Sequence, residues 1–156
     1  MNYFSESYFL KIKNSILRPL NYILGPLQNN FLHKEDLKYL DLYPPVFIIG
    51  PPRSGTTVLY QLLCKHTNFS YINNFIGNWY RIPILAAKVY ITLFQSGNEL
   101  ELISNFGKSK NYYGPNEFGQ FWYKYFSNTH FFKDQNKKSA DKLKMEIAAI
   151  TKIFEK

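Results

Sequence analysis

The run Val46-Phe47-Ile48-Ile49-Gly50-Pro51-Pro52-Arg53-Ser54-Gly55-Thr56-Thr57 constrains this chain more than any other stretch. Four apolar residues enter a turn bounded by two glycines, and an apolar helical pattern starts at Thr56. A strand that feeds a helix in this way delivers unpaired backbone N–H groups and the positive end of the helix dipole to one spot, where an anion is favoured. Val46 to Ile49 is apolar at every position, as a central parallel strand covered by helices on both faces would be. The helix from Thr56 to about His66 should bury Val58, Leu59, Leu62 and Leu63, and Phe69–Ile72 reads as a second strand.

The glycine spacing is that of the ATP- and GTP-binding loop G-x-x-x-x-G-K-[ST], but Thr56 stands where the lysine belongs. A kinase would then lack its central charge, and Arg53 is the one cation inside the loop. Glycines kept only for a strand-to-helix turn are the plainer alternative. Against it, Arg53, Ser54, Gly55, Thr56 and Thr57 offer a guanidinium, hydroxyls and N–H donors within one turn.

On these residues the chain resembles the sulfotransferase superfamily that uses 3′-phosphoadenosine-5′-phosphosulfate (PAPS). PPVFIIGPPRSGTTVLYQLL is similar to the 5′-phosphosulfate-binding loop of its bacterial and Golgi-type branches, where P-R-S-G-T-T is typical. GPNEFGQFWYKYF, residues 114–126, resembles a G-P-x-E segment of one bacterial group. The resemblance implies an enzyme that moves a sulfuryl group from PAPS to an acceptor hydroxyl or amine. Arg53, Ser54, Gly55, Thr56 and Thr57 would bind the cofactor, and Arg53 would also serve catalysis. No metal is implied.

Such a reaction needs donors and a cation at the leaving phosphate and a base near the acceptor. Part of the family has a glutamate after the second strand, where this chain reads Asn73-Asn74-Phe75. Glu117 is the best remaining carboxylate, read as one turn into a helix begun at Pro115, among aromatics that would desolvate it. A favourable charge at a helix N-terminus is its other reading. His66 suits a helix C-terminus, and His130 is an alternative base. Arg81 and Lys124 read as solvated surface charges.

The family also implies a later strand and helix whose Arg and Ser hold the 3′-phosphate. After Arg81 this chain has no arginine. The expectation is therefore the N-terminal half of a sulfotransferase domain, with weak PAPS binding and little turnover by the chain alone. The fold expected is α/β, a P-loop-type strand–loop–helix with a truncated parallel sheet and many helices. Residues 1–43 would form an amphipathic helical lead-in and residues 44–156 the sulfotransferase part.

The remaining composition narrows the partners. Nineteen Lys and Arg against 11 Asp and Glu give a formal charge of +8. That field would recruit a polyanionic nucleotide. No arginine cluster or nucleic-acid module is present, so no specific nucleic-acid partner is expected. The lone Cys64 excludes an internal disulfide. Residues 3–17 carry apolar and aromatic side chains at helical spacing between lysines, and Pro19 and Pro26 should break the pattern that resumes over 20–32. A covering helix and a membrane-interface contact through residues 1–32 both fit. The location expected is cytoplasmic, with scope for peripheral membrane contact. From another class, a non-catalytic or membrane-peripheral interaction protein would keep the loop only as structure.

Three further helices are expected: a packing helix over 83–95, one from Pro115 to about Phe126, and one over 139–155. The last has Ser139 as N-cap and Leu143, Ile147, Ile150 and Phe154 on one face.

Overall fold

The computed structural model describes residues 15–94, 104–105, 108–109, 111–126 and 137–155. Helix α1, over residues 15–24, runs into a 3-10 segment, Gly25–Phe31. A second 3-10 turn, Lys34–Leu37, leads into α2, Lys38–Leu42. Then follow α3 (Thr56–His66), α4 (Asn74–Asn78), α5 (Pro83–Phe94), α6 (Gly119–Tyr125) and α7 (Lys137–Phe154). A two-residue antiparallel pair, β1 (Ser104–Asn105) with β2 (Lys108–Ser109), lies between α5 and α6.

Small side chains let α5 and α7 meet closely. Ala86, Ala87, Ala148 and Ala149 are all buried, and Ile84 and Ile150 fill the space beside them. Ile76 of α4 and Phe121 and Tyr125 of α6 complete the core. Phe118 and Phe121 stack with ring centroids 4.2 Å apart and planes 5° from parallel. Within this core Lys124 Nζ donates to both carboxylate oxygens of Glu146 at 2.7 and 2.8 Å, and the Glu146 side chain is fully buried. Lys124 is thus an inward-facing half of an ion pair and not the solvated charge its sequence suggested. Desolvation lowers its pKa, and the Glu146 carboxylate acts in the opposite direction.

Polar ties hold the lead-in to the rest. Buried Asn21 donates from Nδ2 to the carbonyls of Leu17 and Asn78, both at 2.9 Å, and its Oδ1 accepts from Arg81 N at 3.1 Å. The α1 helix passes through Pro19 without ending there, contrary to the expected break. Lys152 of α7 donates to Asp36 at 2.8 Å, and Lys142 to Asn29 Oδ1 at 2.8 Å.

The parallel sheet expected from sequence is not formed among the described residues. Val46–Ile49 lies outside any strand, and Ile49 is 91% exposed and Val46 66%. Phe69–Ile72 is likewise no strand. An apolar run records the surroundings a segment suits, whereas strand pairing requires a neighbour within hydrogen-bonding distance. The segment after residue 71 finds a different neighbour. Asn73 bridges to Pro115 in antiparallel sense, Asn74 N donates to Gly114 O (2.9 Å), Phe75 N to Tyr112 O (2.9 Å) and Asn116 N to Ile72 O (2.8 Å). The described architecture is helix-rich.

Other local expectations also change. In α3 the buried residues are Gln61 and Cys64, while Val58, Leu59 and Leu62 face outward. Helix α6 begins at Gly119, so Pro115 lies before it in the bridge to Asn73. Ser139 sits within the first turn of α7, which is already helical at Lys137.

Candidate functional site

The loop between Gly50 and α3 adopts a conformation few side chains would permit. A Cβ on Gly50 would lie 2.5 Å from Ser54 Oγ and 2.8 Å from Thr56 Cγ2, so the close approach needs glycine. Ser54 N donates to Pro51 O at 3.2 Å and closes a turn. Arg53 and Gly55 are both left-handed, at φ 65° and 82°. Gly55 is the residue before α3, and among the described residues no side chain caps that helix end. The first-turn N–H groups of α3 are therefore left for a ligand or solvent, beside the positive pole of an eleven-residue helix. Arg53 and Ser54 are exposed next to them, and Thr56 and Thr57 are half-buried.

A second segment completes the site. Thr57 Oγ1 donates a hydrogen bond to Glu117 Oε1. Glu117 precedes α6 and is exposed, so the aromatic side chains near it in sequence do not enclose it. Those aromatics have other tasks: Phe118, Phe121 and Tyr125 are in the core. Trp122 meets Phe47 edge to face at 5.8 Å, which ties the extended run before the loop to α6.

Asparagines bring Glu117 to the loop. Asn73 Oδ1 accepts from Ile76 N at 3.0 Å and caps α4. Asn116 Nδ2 donates to Asn74 Oδ1 and its Oδ1 accepts from Phe118 N, both at 2.8 Å. A Cβ on Gly77 would come within 2.5 Å of the Asn116 side chain, so Gly77 allows Asn116 to lie flat on α4. These residues were missed in the sequence reading. Their signal was the recurrence of Asn beside turn positions at 73–74 and 111–116, since short amides satisfy backbone groups that no ladder pairs.

The remaining candidates fall elsewhere. His66 is exposed in the last turn of α3, at the far end of the helix from the Gly50–Thr57 loop. His130 lies outside the described residues. Arg81 places its guanidinium 3.7 Å from the ring centroid of Tyr22, packed on α1 and not displayed as a surface charge. The structure thus brings together Arg53, Ser54, Gly55, Thr56, Thr57 and Glu117 and assigns Arg81 and Lys124 to packing.

Residues 44–77 match the model of the Sulfotransferase family. The matched stretch runs from the extended segment through the loop and α3 to α4. It supports a member of the sulfotransferase superfamily, on the strength of that part of the chain. No curated protein matches the chain, and neither does any solved structure.

Proposed function

We propose that this sulfotransferase-type chain binds the phosphosulfate end of PAPS on the Gly50–Thr57 loop and serves transfer of a sulfuryl group to an acceptor hydroxyl or amine. The observation that carries the reading is the uncapped start of α3 beside Arg53, inside the residues that match the sulfotransferase family. Bound there, PAPS would supply an activated sulfur whose bond to a phosphate oxygen breaks as the acceptor attacks.

The chain's own groups suit that charge movement. The N–H groups of Gly55, Thr56 and Thr57 and the Arg53 guanidinium stabilise negative charge gathering on the departing phosphate. Ser54 and Thr56 hydroxyls add donors that can turn toward an oxygen. Glu117 takes the acceptor's proton, and its bond to Thr57 holds the carboxylate at the edge of the loop. A cation-free loop interior apart from Arg53 leaves little to hold a triphosphate, which favours phosphosulfate over ATP.

The 3′-phosphate end is not provided for by an arginine after Arg81. The chain by itself is therefore expected to hold PAPS weakly. Calorimetric titration with PAPS and, separately, with magnesium and ATP tests the reading. PAPS should bind in preference to magnesium–ATP and lose at least about tenfold in affinity in Arg53→Ala, the loss of one charge-assisted contact. Preferential magnesium–ATP binding would overturn the assignment.

A further inference from the structure

The Thr57 hydroxyl has one proton to donate, and Glu117 accepts it. Thr57 is the second residue of α3, and a helical Cα–Cβ bond leans toward the helix N-terminus. Its hydroxyl therefore lies at the end where the uncapped first-turn N–H groups point. An anion on those groups would compete for the same proton and would meet the Glu117 charge. The Thr57–Glu117 bond and a bound anion are thus alternatives at one hydroxyl.

The backbone that carries Glu117 is held on both sides. Asn116 N donates to Ile72 O, Asn116 Nδ2 to Asn74 Oδ1, and Asn116 Oδ1 accepts from Phe118 N, all at 2.8 Å. Phe118 is left-handed at φ 57°, buried, and stacked on Phe121 in the core. A bulky residue keeps that conformation only where its surroundings fix it. Glu117 is exposed between these two fixed neighbours, so its side chain can turn while its backbone stays in place.

We propose that Thr57 is an exchange point between the two halves of the site. The phosphosulfate group takes the Thr57 hydroxyl, and the Glu117 carboxylate is released while its backbone stays tethered at the rim. There it is free to take the acceptor's proton, whereas in the empty site Thr57 holds it against α3. Binding of the donor thereby arms the base. The proposal rests on the phosphosulfate reading of the loop and adds to it how donor and base are coupled. Charge repulsion alone would weaken anion binding whatever residue stood at position 57. A shared proton makes the effect of Glu117 depend on the Thr57 hydroxyl.

The test is titration of the full chain with PAPS, read by calorimetry and by NMR of amide ¹⁵N and glutamate carboxyl ¹³C labels. PAPS should move the Glu117 carboxyl signal, identified by its loss in Glu117→Ala. Glu117→Ala should tighten PAPS binding, and the gain should be at least about threefold smaller when the same change is made in Thr57→Val. Thr57→Ser keeps the hydroxyl and should restore the full gain. An unmoved carboxyl signal, or an equal gain with and without the hydroxyl, would overturn the inference while leaving PAPS on the loop. Gly55–Thr57 amides unmoved by PAPS would overturn the phosphosulfate reading and the inference together.

Discussion

Thr57 Oγ1 donates to the carboxylate of Glu117, sixty residues away in sequence, and the bond joins the first turn of α3 to the segment before α6. It puts a carboxylate at the rim of an uncapped helix N-terminus. It also puts a negative charge where an anion would sit. The two roles make opposite demands, and substitution separates them.

Glu117→Gln keeps a hydrogen-bond acceptor for Thr57 and removes the charge. Inorganic sulfate or PAPS should then bind severalfold more tightly, since the helix end is freed of a competing carboxylate. In an assembly competent for sulfuryl transfer, turnover should fall by roughly 10²–10⁴-fold, the usual contribution of a positioned base. Unchanged turnover with tighter anion binding would leave Glu117 only its electrostatic role.

Gly50→Ala should disturb the loop, and Gly119→Ala should not. The added methyl at residue 50 would collide with Ser54 Oγ at 2.5 Å, while at residue 119 nothing lies within 4 Å. Gly55→Ala adds strain of another kind, roughly 1–2 kcal/mol for a left-handed residue. Urea unfolding paired with PAPS titration measures both effects. The Gly50 variant should lose binding and the Gly119 variant should match the parent.

Removing one partner of the Lys124–Glu146 pair should cost roughly 3–5 kcal/mol, because the other charge is left in the core. Glu146→Ala tests this by denaturant unfolding. Replacing both, as Lys124→Met with Glu146→Leu, should recover most of the loss, since no charge then remains unpaired.

Burial pushes the Cys64 thiol up from its ordinary 9.0 to about 11. Between those values the unfolded chain loses the proton while the folded chain keeps it. The thiol's contribution is therefore fully present below pH 9 and declines as the pH rises toward about 11. Cys64→Ala should flatten part of the alkaline fall in the urea midpoint. In the native protein, iodoacetamide should modify Cys64 much more slowly than in urea.

The features legible in the sequence were those that neighbouring residues determine. The loop followed by α3 is written in Gly50, Gly55 and the apolar pattern after Thr56, and α5 is written in an unbroken helical run opened by Pro83. Glu117 could be picked out as a carboxylate, but its meeting with Thr57 depends on Asn73, Asn74 and Asn116 joining two distant turns. The sheet was misread for the same reason. Val46–Ile49 has the composition of a central strand, and no composition supplies a pairing partner. Ile49, 91% exposed, forgoes roughly 1.5–3 kcal/mol of burial. The helical positions of Val58, Leu59 and Leu62 were read correctly and their direction was not, because periodicity defines a face without saying what lies against it.

The central claim is that the start of α3 and Glu117 form one site for the phosphosulfate group. Titration of the ¹⁵N-labelled chain with PAPS, followed by amide NMR, tests it most directly. The account predicts saturable shifts at Gly55, Thr56, Thr57 and Glu117, absent in Arg53→Ala and weaker with magnesium–ATP. Gly55–Thr57 amides left unmoved by saturating PAPS would contradict it.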